Sequence, residues 1–284
     1  MMLLVPADVL NPRRVDGHFA AEAEAARAAG LRVTVVDHDA LGRPGGAGRG
    51  VERVTGGGPA MYRGWMLRSE QYAAFAEALR ERDVTLRTSA EQYARAHELP
   101  GWYPALSAVT PRSVWTVGAG RDAFERACRQ LGSGPAVLRD HVKSMKHYWA
   151  EAAFIPDLGD PDAAWAVASR FRLLRDEDMV GGFVLRRFER FVSAEVRTWW
   201  VDGVCRLVGP HPDTPQDMPV AEPNLDAIGP LIGGLGLPFV TADVVLSADG
   251  VWRLVELGDG QVSDRPGTIA PDTFIAMLHT GFDG

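Results

Sequence analysis

The stretch from residue 239 to 261 constrains the fold of this chain most strongly. Two apolar runs, 239–246 and 251–257, flank an Asp-Gly turn, which favours the left-handed backbone of a short β-hairpin. One acid interrupts each run, Asp243 in the first and Glu256 in the second. Carboxylates on adjacent antiparallel strands can share a face, where they repel each other unless a cation lies between them. The pattern predicts a hairpin that binds a hard cation such as Mg²⁺, and acids solvated on an outer face are the alternative.

The distribution of charge narrows the classes of partner. The 284 residues carry a formal net charge of −7, and from residue 213 onward there are 11 acids and only two bases. A chain without a basic stripe is not expected to bind duplex nucleic acid. The two cysteines form no disulfide framework and no zinc motif. No secretion signal and no apolar run of membrane length is apparent, so we expect a cytoplasmic protein without a membrane partner.

Strands and helices alternate over the first hundred residues. This alternation predicts a parallel sheet in a small open α/β domain over residues 1–110. Arg63 lies within its third predicted strand, 60–67, and is predicted to bind the substrate; an arginine that reaches solvent from the strand end is the alternative. The proline-containing segment 100–111 is interpreted as the boundary to a second domain.

Lysine is confined to one short stretch of the chain. Of 30 basic residues only Lys143 and Lys146 are lysines, and both follow a predicted strand at 136–140. A lysine presents a compact point charge on a flexible stem, which suits contact with a phosphate group. The clustering predicts phosphate binding, with chance as the alternative.

The acidic hairpin and the lysine stretch together resemble the ATP-grasp superfamily. The metal-binding pattern of that family is an acid in one strand, a turn, and then Glu-x-Asn. Asp243 and Glu256 match this pattern, whereas Gly258 stands at the Asn position, so Asp259 is the candidate for the third metal ligand. The resemblance extends from about residue 113 to the end of the chain.

The resemblance implies an architecture and an activity. Residues 1–110 would form a pre-ATP-grasp α/β domain, and residues 111–284 an ATP-grasp domain with two α+β subdomains, about 111–180 and 181–284, that hold ATP between them. The implied enzyme is an ADP-forming ligase that joins a carboxylate to an amine or thiol through an acyl phosphate. Its cofactors would be ATP and Mg²⁺, and its substrate a small carboxylate, an amino acid or a peptide.

The resemblance also implies roles for individual residues in binding the nucleotide. The phosphates would contact Arg139, where the family has a lysine, together with Lys143 and Lys146. Segment 184–191 resembles the part of the family fold that binds adenine, although a plain amphipathic strand explains its alternation equally well. The candidate contacts there are Arg187, Phe188 and Glu189, the last for the ribose.

A further pair of charged residues lies two positions apart in a predicted strand and shares one face of it. Glu195 is predicted to contact the nucleotide. Arg197 is predicted to be catalytic, together with Lys146, by steadying the transferred phosphoryl group. An ordinary ion pair on the strand face is the alternative.

Two other functions stay open at this point. Gly118, Gly120 and Ala123 match G-x-G-x-x-A between a strand and a helix, and Asp140 lies where a ribose-binding acid belongs. This match predicts a dinucleotide-binding oxidoreductase. The two departures from the ATP-grasp pattern leave a second alternative, a catalytically degenerate protein that binds ATP.

Overall fold

The computed structural model describes residues 1–217, 219 and 221–280, and within them the chain forms three four-stranded sheets. The strands are β1 (Met2–Pro6), β2 (Arg32–Val36), β3 (Gly58–Tyr62), β4 (Val84–Leu86), β5 (Ser113–Trp115), β6 (Ala136–Asp140), β7 (Phe154–Ile155), β8 (Phe183–Arg187), β9 (Val196–Val201), β10 (Val204–Pro210), β11 (Phe239–Leu246) and β12 (Trp252–Asp259). The α-helices are α1 (Ala20–Ala28), α2 (His38–Leu41), α3 (Ala47–Gly50), α4 (Ser69–Arg80), α5 (Ala90–His97), α6 (Leu99–Leu106), α7 (Arg121–Leu131), α8 (Pro161–Arg175), α9 (Gly229–Gly233) and α10 (Pro271–Thr280).

The first sheet is parallel, with the strand order β2-β1-β3-β4. All five residues of the central strand β1 are buried, as expected of a parallel strand that is covered on both faces. The predicted open α/β arrangement of the first hundred residues is confirmed.

Two local predictions for this region are wrong. Strand β3 ends at Tyr62, so Arg63 lies beyond the strand end and not at its centre. Segment 100–111 is not a loop throughout, because α6 spans Leu99–Leu106. Pro100 lies in the first turn of this helix, where its missing N–H group has no intrahelical acceptor to lose.

The second sheet has the order β5-β8-β6-β7, and all its pairs are antiparallel. The predicted dinucleotide site needs β5 and β6 to be parallel strands joined through α7. Instead β8 lies between them and runs antiparallel to both. The oxidoreductase alternative based on Gly118, Gly120 and Ala123 is therefore wrong.

The third sheet has the order β10-β9-β11-β12 and contains the predicted hairpin. Gly250 in its turn has φ of +82°, which is the left-handed conformation that the Asp-Gly signal predicts. The predicted helix over 224–235 is reduced to the five residues of α9, because glycines interrupt it. No helix among residues 1–217, 219 and 221–280 has the length and apolar character to cross a membrane.

The chain divides into two compact units that do not follow its order. The first unit contains residues 1–97, 194–244 and 256–284, and the second contains residues 98–193 and 245–255. The domain boundaries near residues 110 and 180 describe order along the chain and stay a prediction.

Arg63 lies inside the first unit and is 1% exposed. Its guanidinium donates two hydrogen bonds to Glu22, at 2.8 and 3.1 Å. Its Nη1 atom also donates to the carbonyl oxygens of Gly260, Gln261 and Ser263, at 2.7, 3.0 and 2.9 Å. These contacts join distant parts of the sequence, and the predicted substrate role of Arg63 does not agree with such burial.

Asp259 also lies inside the first unit, 1% exposed, at the end of β12. Its Oδ1 atom accepts hydrogen bonds from the backbone N–H and the side-chain amide of Gln261, at 2.9 and 3.0 Å. Its Oδ2 atom has no hydrogen-bond partner among the described residues. Burial raises the pKa of Asp259 to about 7, although Gln261 and the charge of Arg63 lower it. This enclosed position does not support the predicted role of Asp259 as a metal ligand.

Replacing Arg63 by Met should lower the free energy of unfolding by about 3–5 kcal/mol, because it leaves Glu22 and three buried carbonyl groups without their main partner. Chemical denaturation measures the change. Arg80→Met is the matched control, since Arg80 pairs with Glu77 on the surface, and it should leave stability nearly unchanged. Equal effects of the two substitutions would contradict the structural role of Arg63.

The raised pKa of Asp259 makes stability depend on pH with a defined sign. Between pH 4 and 7 the folded state keeps a proton that the unfolded state has lost, so the free energy of unfolding falls by about 1.4 kcal/mol per pH unit. Asp259→Asn removes this dependence. The melting temperature of the variant relative to the wild type should therefore rise between pH 5 and pH 8. A constant difference across this range would show that the carboxyl group is not held neutral.

Candidate functional site

The turn that carries the two lysines is built by Asp140 at the end of β6. The Oδ1 atom of Asp140 accepts hydrogen bonds from the backbone N–H groups of Val142 and Lys143, at 2.7 and 2.6 Å. Its Oδ2 atom accepts from Arg175 Nε at 3.0 Å. Asp140 is fully buried, so its carboxylate shapes the turn and is not available to a ribose.

The lysines themselves differ in exposure. Lys143 is half-buried and Lys146 is exposed, at the start of a short 3₁₀ turn. Arg139 is buried beneath them, and its guanidinium donates to the carbonyl oxygens of Asp140 and Val142. Arg139 thus supports the turn from inside, while the lysines carry its accessible positive charge.

Three aromatic rings cluster near this turn in the second unit. Trp149 stacks on Phe154 with ring centroids 5.4 Å apart, and Phe188 meets Phe154 edge to face at 5.3 Å. Trp149 is 43% exposed, so part of its ring faces solvent. An exposed aromatic ring offers a flat apolar surface that can stack against a planar ligand. Sequence reasoning found only Phe188, because Trp149 and Phe154 belong to no motif.

Two other predicted nucleotide contacts have structural partners instead. Arg187 donates to the carbonyl oxygens of Leu131, Gly132 and Ser133 at the end of α7, at 2.6, 3.3 and 2.7 Å. Glu189 pairs with Arg253, its oxygen 2.9 Å from Arg253 Nε. The contacts of Arg187 are those of a helix cap, and a ribose contact of Glu189 would compete with its ion pair.

A second group of predicted residues lies on one face of the third sheet, within the first unit. Arg197 in β9 is directly opposite Asp243 in β11. The guanidinium donates to both carboxylate oxygens of Asp243, each at 2.8 Å. The cation that the hairpin pattern demands beside Asp243 is therefore supplied by Arg197.

Glu195 and His211 complete this group. His211 follows β10, and its backbone N–H donates to the Glu195 carbonyl at 3.2 Å, which continues the strand pairing. His211 Nε2 lies 2.9 Å from Arg197 Nη2, 3.4 Å from Asp243 Oδ2 and 4.0 Å from Glu195 Oε2. The ligand atoms of Glu195, His211 and Asp243 all lie within 4.8 Å of one another, a spacing that could hold a metal ion.

Electrostatics keep Asp243 charged in this group. Burial would raise the pKa of Asp243, but the charge and hydrogen bonds of Arg197, with a contribution from His211, hold it well below the usual range. Burial lowers the pKa of Arg197, and Asp243 and Glu256 more than reverse this effect. Glu256 is half-buried in β12, so its charge acts on the same guanidinium. Asp243 and Glu256 offer the hard oxygen donors that suit Mg²⁺, and Glu195 and His211 can add to them.

His211 is the residue of this group that the sequence did not reveal. It stands alone in a proline-containing segment, and no spacing connects it to an acid. Only the pairing of β9 with β10 and β11 brings it to Glu195 and Asp243.

Comparison with solved structures identifies similar folds over the whole chain. The RimK domain protein ATP-grasp from Sphaerobacter thermophilus is 17% identical, with a TM-score of 0.66 over all of both chains. D-cycloserine synthetase DcsG is 16% identical, with a TM-score of 0.65 over 99% of each chain. The ATP-grasp ligase PsnB, in complex with a minimal precursor, Mg and ADP, is 14% identical, with a TM-score of 0.59 over 100% of this chain and 98% of that one. The predicted fold class is confirmed, and the predicted cofactors, ATP and Mg²⁺, agree with these findings.

Sequence comparison assigns the family. No curated protein matches this chain. A family model for an ATP-grasp domain, the third family of its clade, matches residues 130–278, which is more than half of the chain and includes both groups of candidate residues. The chain therefore belongs to this family of ATP-grasp domains.

Proposed function

We propose that this protein is an ATP-dependent ligase that joins a carboxylate to an amine through an acyl phosphate. The observation that carries the proposal is the group on the third sheet, where Arg197 is held by both oxygens of Asp243 beside His211 and Glu195. A fixed guanidinium next to charged carboxylates is suited to a reaction in which phosphoryl oxygens and a metal ion must be positioned together. The family membership supports ATP as the phosphoryl donor.

The second unit contributes residues for binding the nucleotide. Lys143 and Lys146 present their ammonium groups to the phosphates, on a turn that Asp140 keeps rigid. The exposed ring of Trp149, backed by Phe154, provides a surface on which the adenine can stack. The stack and the charges together bind both ends of the nucleotide.

The first unit contributes residues for phosphoryl transfer. Arg197 donates hydrogen bonds to oxygens of the transferred phosphoryl group, and its orientation is set by Asp243. Asp243 and Glu256 hold Mg²⁺, which when bound neutralises charge on the phosphate oxygens. Glu195 and His211 orient Arg197 and Asp243 from the neighbouring strands.

The reaction proceeds in two steps. A carboxylate oxygen of the substrate attacks the γ-phosphorus of ATP, the bond to the β–γ bridging oxygen breaks, and ADP leaves. The amine then attacks the carbonyl carbon of the acyl phosphate and loses a proton, and inorganic phosphate leaves with the electron pair of the broken C–O bond.

The substrate is a small carboxylate, an amino acid or a peptide. The complexes of PsnB with its precursor peptide, and the name of D-cycloserine synthetase, support this range. The boundaries at residues 110 and 180 and the cytoplasmic location belong to the same proposal.

Turnover should yield ADP and phosphate, because the acyl-phosphate route transfers only the γ-phosphoryl group. Chromatography of the nucleotides after incubation with ATP, Mg²⁺ and a panel of amino acids and peptides measures the products. AMP with pyrophosphate as the main product would exclude this route. Binding of ATP without turnover across the panel would favour the catalytically degenerate alternative.

Replacing Lys146 or Lys143 by Met should weaken ATP binding about tenfold to a hundredfold, the contribution of one charged hydrogen bond. Calorimetric titration with the non-hydrolysable analogue AMPPNP measures the change. Arg126→Met is the control, since it removes an exposed positive charge from α7 of the same unit and should leave the affinity unchanged. Unchanged affinity in both lysine variants and in the double variant would refute the phosphate-binding role.

A further inference from the structure

A cavity of about 220 Å³ opens at the carboxyl edge of the parallel sheet in the first unit. It is lined by the segments that follow β1, β2 and β3, with residues from Pro6 to Trp65. The strand order β2-β1-β3-β4 makes the chain leave β1 in one direction, to β2, and return on the other side, to β3. Ligands of open α/β sheets bind at such a switch point, outside the carboxyl ends of the strands. The cavity has the position of a ligand site.

The charges that line the cavity are mainly negative. Four aspartates contribute to it, against two arginines, and the acids are Asp8, Asp16, Asp37 and Asp39. Asp37 has a cationic neighbour, Arg49, at 3.8 Å. For the other three aspartates, no ion pair with a basic side chain occurs among residues 1–217, 219 and 221–280.

Local structure explains part of this acidity but not all of it. Asp8 and Asp16 each accept backbone N–H groups of their own loop through Oδ1. Asp39 accepts no hydrogen bond from any described residue and is exposed. A carboxylate of this kind can pair with a cation at little cost, because no internal partner must be given up.

One wall of the cavity is aromatic. Trp65 is 38% exposed, and its indole is fixed by a hydrogen bond from Nε1 to Asp16 at 3.2 Å and by contact with His18, ring centroids 4.6 Å apart. An exposed and rigid indole face attracts organic cations, and tryptophan is the strongest side chain in this respect. The acids and the indole therefore favour the same class of ligand.

We propose that this cavity binds the amine substrate, as a small organic cation with its ammonium or guanidinium group between the aspartates and Trp65. This inference rests on the proposed ligase function for the fate of the amine, but not for its binding. A volume below the usual range for drug-sized ligands limits the ligand to a compact molecule, such as a basic amino acid or a short diamine. Arg43, which also lines the cavity, can receive a carboxylate of the ligand.

Calorimetric titration of the full chain without nucleotide tests the site, with cadaverine, L-lysine and L-arginine as probes. L-norleucine is the matched control ligand, because it keeps the carbon chain of lysine and lacks the second amine. We expect L-lysine to bind at one site about tenfold more tightly than L-norleucine. Absence of binding for all three cations, or equal affinity for lysine and norleucine, would overturn the inference.

Substitutions locate the site. Asp39→Asn and Trp65→Leu should each weaken lysine binding about fivefold, whereas Trp65→Phe should retain part of the affinity because it retains a ring. Glu91→Gln removes the same charge from an exposed position on α5, outside the cavity, and should leave the affinity unchanged. Unchanged binding in both Asp39→Asn and Trp65→Leu would place the amine elsewhere and refute the proposal.

Turnover separates this inference from the proposed function. Amine binding without release of ADP, with any carboxylate of the panel, would leave the cavity as a binding site and refute the ligase. Release of ADP with an amine whose KM does not change in Asp39→Asn would leave the ligase intact and refute the cavity as its amine site. A KM that rises in Asp39→Asn while kcat stays constant supports both.

Discussion

A guanidinium that is shielded from water holds the first unit together. A buried cation is tolerated only where every donor finds an acceptor. Arg63 meets this requirement with a carboxylate from α1 and three carbonyl oxygens from the segment after β12. Its planar face also lies 4.8 Å from the ring centre of Phe274 in α10. The first parallel sheet and the segment after β12 therefore belong to one core, although some 200 positions separate them.

The same principle operates at the candidate site, with a different outcome. Arg197 and Asp243 satisfy each other across two strands, but the pair retains neighbours that are charged or ionisable, namely Glu195, His211 and Glu256. Arg63 is enclosed by uncharged carbonyl groups and a single carboxylate, which favours rigidity. Arg197 is surrounded by groups that can exchange partners, and such a setting suits a residue that must contact a reacting phosphate.

The elements with clear periodicity could be predicted from the sequence, whereas the partnerships between them could not. The hairpin and its turn follow from alternation and from Asp-Gly, which are local properties. The pairing of Arg197 with Asp243 spans 46 positions and depends on strand register, which no local pattern encodes. Arg63 and Asp259 looked functional because polar groups in apolar runs are costly, yet partners distant in the sequence compensate them. For the same reason His211 gave no signal at all.

The discontinuous first unit has a consequence for how the chain acquires its structure during synthesis. Residues 1–97 leave the ribosome early, but the carbonyl groups that satisfy Arg63 and the helix that covers it lie beyond residue 259. Until those residues emerge, the parallel sheet exposes an unpaired half of its core to water. The nascent chain must therefore wait for the segment after β12, and in that interval it is a natural client for chaperones.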